Sequence, residues 1–157
     1  MAKKFKSQYQ PLVPDPVYNS QLVSKFINCL MLDGKKAIAQ NNFYQAMDII
    51  AKKINDCSPA ELFEKAINNV KPILEVRSKR VGGASYQVPM QVKPKRQQSL
   101  AFRWIIQASR AKKGKPVAQC LASELIDAYN SHGTAMTTRE NIHRMAEANK
   151  AFAHFAW

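Results

Sequence analysis

The chain has 157 residues, of which 46% are hydrophobic and 22% are charged, and its formal net charge is +13. This length and composition are typical of one folded domain and exclude a disordered basic tail. No stretch reaches the ~20 apolar residues of a transmembrane helix, and no apolar run follows the N-terminal lysines, so we expect neither a membrane protein nor a secreted one. The excess of positive charge favours a polyanionic partner such as nucleic acid.

The positive charge is concentrated in one stretch, residues 71–115. This stretch holds twelve Lys or Arg and one acid, Glu75, which gives +11, whereas residues 1–10 carry +3, residues 11–70 carry 0 and residues 116–157 carry −1. Cations packed so closely repel one another unless an anion neutralises them. A solvated surface usually mixes both signs, so the pattern indicates a nucleic-acid interface rather than a merely soluble face.

The first 18 residues predict an extended basic arm. Three prolines, Pro11, Pro14 and Pro16, disfavour a helix there. The arm carries the cations Lys3, Lys4 and Lys6 and the aromatic residues Phe5 and Tyr9. Such an arm frays in isolation and becomes ordered only on a partner, as basic arms do on nucleic acid.

The first two helices are predicted over residues 21–32 and 36–54, with Ser20 capping the first. Lys35 and Lys36 lie at the start of the second helix. Two cations there oppose the helix dipole, which favours anions at that end. This misfit indicates that the pair is placed for a phosphate. The predicted buried positions of the second helix are Ile38, Phe43, Met47, Ile50 and Ile54.

A third helix is predicted to begin at a capping box, in which Ser58 and Glu61 cap each other around Pro59. The periodicity then changes to two, and residues 73–90 predict a β-hairpin turned at a Gly-Gly pair. The tip of the hairpin carries the cations Arg77, Lys79 and Arg80. Tyr86 on the returning strand could stack on an unpaired base or pack on protein.

The fourth helix, predicted over residues 95–112, has one apolar and one basic face. Its predicted core positions are Leu100, Ala101, Trp104, Ile105 and Ala108, and its predicted basic face is Lys95, Arg96, Arg103 and Arg110. Lys93 precedes it, and Lys112, Lys113 and Lys115 form a basic loop after it. This arrangement is typical of a helix that lies on RNA or DNA.

Two further helices are predicted, one from Pro116 to about residue 129 and one over residues 136–149. Four basic or titratable side chains lie along one side of the last helix and its end: Arg139, His143, Arg144 and Lys150. The apolar tail, residues 151–157, either covers the protein's own core or meets a partner.

Catalytic and metal-binding patterns are absent from the sequence. The three histidines have no carboxylate or cysteine at a metal-ligand or acid–base spacing. The three cysteines form no C-x-x-C pair, and Cys29 and Cys120 are predicted to be small buried hydrophobic residues. We therefore expect no enzyme activity, no metal and no cofactor.

Three stretches of the chain resemble one family, the bacterial-type ribosomal protein seven of the small subunit. They read LVSKFINCLMLDGKKAIAQNNFYQAMDII, NVKPILEVRSKRVGGASYQVPMQVKPKRQQSLAFRWII and RENIHRMAEANKAFAH. The resemblance implies a mainly helical fold, a six-helix domain over residues 19–157 with one protruding β-hairpin. It implies a structural, RNA-binding protein of the ribosome, in the cytoplasm or in the matrix or stroma of a bacterial-type organelle.

The resemblance also implies partners and contact residues. The implied partners are the 3′ major (head) domain of small-subunit ribosomal RNA, neighbouring ribosomal proteins, and the messenger RNA and exit-site tRNA nearby. The contacts implied on this chain are Lys3, Lys4, Lys6, Lys35, Lys36, Arg77, Lys79, Arg80, Lys93, Lys95, Arg96, Arg139, His143 and Arg144. The alternative is a helical DNA-binding regulator or architectural protein, although no helix-turn-helix unit is evident. An RNA-modifying enzyme would need a cofactor loop that the sequence lacks.

Overall fold

The computed structural model describes residues 12–54 and 57–156. Its elements are α1 (Gln21–Leu30), α2 (Lys36–Lys53), α3 (Pro59–Val70), β1 (Leu74–Val81), β2 (Ala84–Gln91), α4 (Pro94–Ala111), α5 (Val117–Tyr129), α6 (Thr134–Ala148) and a C-terminal 3₁₀ helix (Lys150–Phe155). The predicted mainly helical fold with one hairpin is confirmed. The 3₁₀ helix is an addition that lies mostly within the predicted apolar tail.

The core is helical and aromatic. Helix α5 packs against α2, α3 and α4, and the rings of four phenylalanines meet in the centre of the domain. Phe26 lies with its ring centroid 5.1 Å from that of Phe63 and 5.2 Å from that of Phe102, and Phe43 lies 5.3 Å from Phe63. Edge-to-face pairs of this kind add about 0.5–1.5 kcal/mol beyond the burial of the rings.

The start of the described chain is tied to this core by Asp15, which is 2% exposed. Its carboxylate accepts hydrogen bonds from the backbone N–H groups of Val17 and Tyr18, and from the Tyr44 hydroxyl at 2.7 Å. Burial and the bond to Asp15 raise the pKa of Tyr44 to about 12. These contacts attach residues 15–18 to the helical domain. The predicted arm residues 1–11 lie outside the described part of the chain.

The helix ends show one confirmed cap and one wrong prediction. Ser58 Oγ accepts a hydrogen bond from the Glu61 N–H at 3.2 Å, and a Glu61 carboxylate oxygen accepts one from the Ser58 N–H at 3.3 Å, so the capping box is confirmed. Ser20 occupies the N-cap position of α1, but its side chain makes no capping hydrogen bond with any described residue. The turn around Asp15 fixes the entry to α1 instead: the Asp15 N–H donates to the Ser20 carbonyl.

Two burial predictions are wrong. Ile38 is 58% exposed, because the buried stripe of α2 is formed by Ala39, Phe43, Ala46, Met47 and Ile50, which shifts the first inward position by one residue. Cys29 is exposed, since the neighbouring residues Phe26, Ile27 and Leu30 take the inward positions of α1. Cys120 is buried, as predicted.

The β-hairpin, called the ribbon below, has strands β1 and β2 in antiparallel register. Gly82 and Gly83 form its turn with φ angles of +57° and +89°, a conformation that glycine adopts without strain. The predicted glycine turn is therefore confirmed. The ribbon contacts α6 along β1 and the 3₁₀ helix along β2, so it leaves the helical domain with a support on each strand.

Candidate nucleic-acid interface

The single acid of the basic stretch connects the ribbon to α4. The Glu75 carboxylate lies 2.6 Å from Arg77 Nη2 and 3.3 Å from Arg96 Nε, and the Glu75 side chain is only 12% exposed. Both arginine side chains remain more than 40% exposed. Exposed ion pairs contribute little stability, about 0–1 kcal/mol, so the main effect of Glu75 is to orient two guanidinium groups toward solvent.

Lys112 is held by the protein itself. Its ammonium group lies 2.9 Å from a carboxylate oxygen of Glu124, which is fully buried, and 3.4 Å from Asp127. Burial lowers the pKa of Lys112, but the hydrogen bonds and charges of the two acids outweigh burial, and the pKa is raised. The other oxygen of Glu124 accepts the Ala135 N–H at 2.9 Å, which joins α5 to α6. We infer that Lys112 stabilises the fold.

Glu124 is an important residue for the fold that the sequence did not predict. It lies three residues after Leu121 and one before Leu125, on the inward face of α5. An acid at such a position requires a cation or a hydrogen-bond donor nearby. That spacing was the available signal, but it does not identify Lys112, which lies on another helix end.

Arg110 and the α1–α2 loop come together. Arg110 Nη2 donates to the Leu30 carbonyl at 3.0 Å, where α1 ends. Arg110 and Lys35 line the same small groove, whose volume is about 220 Å³. Lys36, the first residue of α2, is exposed beside them. The structure therefore joins two cation groups that lie 75 residues apart in sequence, Lys35 and Arg110.

Two predicted contacts on α6 face the protein rather than solvent. Arg139 Nη1 donates to the Asn69 carbonyl at the end of α3. His143 Nε2 accepts a hydrogen bond from the Ile73 N–H at 3.1 Å, just before β1. Burial, together with the charge of Arg139, lowers the pKa of His143. These two side chains hold the connection between α3 and β1 against α6.

Tyr86 and the tail pack on each other. The Tyr86 ring lies 5.3 Å from the ring of Phe152 and 5.2 Å from that of Phe155. On the opposite strand, Lys79 Nζ donates to the Phe155 carbonyl at 2.8 Å. The apolar tail therefore covers the ribbon, and of the two roles open to Tyr86, the structure shows packing on protein.

The remaining predicted cations are exposed and form no ion pair with another described residue. They are Lys35, Lys36, Arg80, Lys93, Lys95, Arg103, Lys113, Lys115, Arg144 and Lys150. They lie on the α1–α2 loop and the start of α2, the ribbon tip, both ends and one face of α4, within α6 and at the start of the 3₁₀ helix. Lys3, Lys4 and Lys6 lie outside the described residues.

The described residues include no group of three or more His, Cys, Asp or Glu side chains that could hold a metal ion. In the same part of the chain, no helix combines the length and the apolar character needed to cross a membrane.

The chain is similar in sequence to known proteins over nearly its whole length. Residues 2–150 match the family model described as Ribosomal protein S7p/S5e. Similar curated proteins include "Small ribosomal subunit protein uS7" of Rhodopirellula baltica, 59% identical over 98% of this chain and 99% of the relative. The proteins of the same name from Thermosipho melanesiensis (54% identical, 99% of each chain) and Natranaerobius thermophilus (50%, 100% of each) are also similar.

Proposed function

The chain belongs to the ribosomal protein S7p/S5e family, and from this premise we propose that it binds the 3′ major domain of small-subunit ribosomal RNA directly and nucleates assembly of the subunit head. As a family member it is a protein of the small ribosomal subunit in the cytoplasmic ribosome, and it is not an enzyme. In this proposal residues 19–157 form one RNA-binding domain, and residues 1–18 form a basic arm in front of it.

One observation carries the proposal: ten exposed cations without a partner in the described chain surround a fixed helical framework. Each Lys or Arg that meets a phosphate releases a condensed counterion, and this release drives binding. Within residues 71–115, where six of these ten cations lie, the protein supplies almost no opposing charge, since Glu75 is the only acid there. Ribosomal RNA supplies the anion that this surface lacks.

The mechanism assigns two tasks to the basic residues. Arg139 and Lys112, with the titratable His143, fix helices and the ribbon in place through contacts within the protein. Exposed cations, such as Lys36 on α2 and Arg103 on α4, are free to contact phosphates. Because the deep groove of A-form RNA is closed to side chains, we expect contacts to phosphates, 2′-hydroxyl groups and irregular loops.

The ribbon indicates where in the subunit we expect the protein to lie. Arg80 lies next to the turn of the ribbon, exposed and away from the helical core. We propose that the ribbon approaches the messenger exit and the exit-site tRNA, and that other faces contact neighbouring small-subunit proteins. The support that β1 and β2 receive from α6 and the 3₁₀ helix favours a ribbon held in a defined direction.

The test compares binding of the full chain to a 3′-domain RNA fragment and to duplex DNA of equal length, over a series of salt concentrations. We expect the RNA to bind more tightly by about a thousandfold or more at physiological salt, the range that separates specific from non-specific binding. Equal affinity for both, lost in parallel as salt rises, would reduce the surface to a general polyanion binder and favour the DNA-binding alternative.

A further inference from the structure

A second, larger groove lies where the base of the ribbon meets α6 and the 3₁₀ helix. Its volume is about 770 Å³. It is lined by Ile73, just before β1, by Leu74 of β1, by Pro89 and Met90 of β2, and by Ala146 of α6. The groove is therefore framed by three separate elements that the contacts of His143 and Phe155 hold together.

The lining of this groove includes an exposed aliphatic side chain. Ile73 is 65% exposed. Its backbone N–H is fixed by His143 Nε2, so the exposed side chain is presented from an anchored position. Small residues, Ala146 and Ala153, line the opposite side and leave room for a side chain to enter.

The rim of the groove carries a net positive charge. Lys93 and Lys150 lie on it, opposed by one acid, Glu147. His143 also lines the groove, and its lowered pKa keeps it neutral at neutral pH. Gln91 adds an uncharged hydrogen-bonding side chain. A ligand that fits this rim carries carboxylates beside an apolar group.

The same chemistry disfavours RNA as the occupant. Among the described residues that line the groove there is no Phe, Tyr or Trp on which a base could stack. A phosphate placed against the aliphatic lining would lose its hydration without gaining enough hydrogen bonds. An aliphatic side chain, in contrast, gains by leaving water on Ile73 and Met90.

We propose that this groove is the docking site for a segment of another protein, in which an aliphatic side chain enters between the ribbon and α6 and flanking carboxylates meet Lys93 and Lys150. These two lysines then contact the partner protein, which leaves eight of the ten exposed cations for RNA. The proposal rests on the proposed function only for where the partner is met, a neighbouring protein of the small subunit. The recognition chemistry rests on the groove alone.

The test uses the full chain with methyl labels and a short peptide that has a central Leu flanked by Glu residues. We expect the peptide to shift the methyl signals of Ile73, Met90 and Ala146. Two control peptides, one with Lys in place of Glu and one with Ser in place of Leu, should bind at least about tenfold more weakly.

Matched variants locate the binding site. Ile73→Ser should weaken the acidic peptide by about tenfold or more, whereas Leu32→Ser, at a residue 58% exposed on the α1–α2 loop, should not change it. Lys150→Glu should reverse the preference between the Glu and Lys peptides. Unchanged signals of the buried methyl groups of Ile67 and Ile105 verify that each variant is folded.

The outcomes separate this proposal from the RNA-binding one. Loss of peptide binding in Ile73→Ser, with full affinity for the 3′-domain RNA fragment, supports the groove as a protein site. The proposal is overturned if the acidic peptide leaves these methyl signals unchanged, or if a single-stranded RNA oligonucleotide shifts them and Ile73→Ser weakens RNA binding. Failure of RNA binding in the parent chain would contradict the proposed function and not the groove.

Discussion

In the helical domain, four phenylalanine rings are buried against one another. The ribbon, in contrast, has only two strands, and it packs against α6 and the 3₁₀ helix. A two-stranded sheet alone is marginal in water, so the ribbon depends on those supports. The helical core needs no such help. Stability is therefore concentrated in the helical domain, whereas exposed positive charge lies on both the helical domain and the ribbon.

This division has a consequence for RNA binding. The ribbon is held at its base by His143 and along β2 by Phe155, and its Arg80 tip remains exposed. A ribbon fixed in direction loses less conformational freedom when it binds than a free one would. In the proposed function these supports therefore favour RNA binding by holding the ribbon in one direction.

Loss of a core ring should have the largest effect. We expect Phe63→Ala to lower the free energy of unfolding by about 3–5 kcal/mol, because it opens a cavity where α3 faces α1 and α2. Urea denaturation measures this loss of unfolding free energy. Val13→Ala, at a residue 77% exposed, serves as the control and should cost less than about 0.5 kcal/mol. A loss below about 1 kcal/mol in Phe63→Ala would contradict the account of the core.

The next largest effect should come from the buried acid. Glu124→Gln leaves the Lys112 ammonium group without its closest partner and weakens the contact to the Ala135 N–H. We expect a loss of about 1–3 kcal/mol in unfolding free energy. RNA affinity of the folded variant should stay at the parent value, since no exposed cation is removed. Unchanged stability would mean that the pair of Glu124 and Lys112 does not hold the fold.

Removing the support of the ribbon should act locally. Phe155→Ala takes away one of the two rings on Tyr86, a contact of about 0.5–1.5 kcal/mol. Hydrogen exchange should become faster in β2, while the amides of α5 keep their protection. Ala151→Ser, at an exposed residue of the same 3₁₀ helix, is the control. Equal acceleration in ribbon and helices would show that the two regions unfold together.

The smallest effect concerns pH. The pKa of His143 is lowered in the folded chain, so the unfolded chain binds the proton more readily. The stability contributed by neutral His143 is complete above its ordinary pKa of about 6.5 and declines as pH falls toward the folded value.

The urea midpoint of the parent should therefore fall between about pH 7.5 and pH 5.5 by more than that of His143→Asn. His132→Asn, at an exposed histidine that does not hold the ribbon, is the matched control. The charged groups near His143 include Arg139 on its own helix, and also Lys93, Glu147 and Lys150, which line the same groove. If His143→Asn shows the same pH dependence as the parent, the ribbon contact is not sensitive to protonation.

Local signals in the sequence predicted most of the fold. The capping box at Ser58, the glycine turn at Gly82 and the apolar periodicity of α4 each depend on residues within a few positions of one another. Such patterns indicate an element's type and bounds. In α2 the predicted positions Phe43, Met47 and Ile50 are buried, and only the first position was wrong: Ala39 faces inward in place of Ile38.

The fate of the individual cations was not predictable in the same way. Lys112 pairs with Glu124, Arg139 reaches Asn69, and Lys79 reaches Phe155, all at separations that only the folded chain sets. Charge in the sequence predicted a basic surface, and family membership agrees with it. Only the structure distinguishes the cations that hold the fold from those that face solvent.

The central claim is that the exposed cations without an ion pair bind RNA, whereas Lys112, which is paired with the buried Glu124, holds the fold. The most direct test measures the salt dependence of binding to the 3′-domain RNA fragment for Lys35→Ala/Lys36→Ala and for Lys112→Ala, alongside the thermal midpoint of each. In the double variant, the slope of log binding constant against log salt concentration should become shallower by about 1.4–1.8, because two phosphate contacts are lost. Its thermal midpoint should stay at the parent value. Lys112→Ala should keep the slope and lower the midpoint. A parental slope in the double variant, or a reduced slope in Lys112→Ala, would contradict the claim.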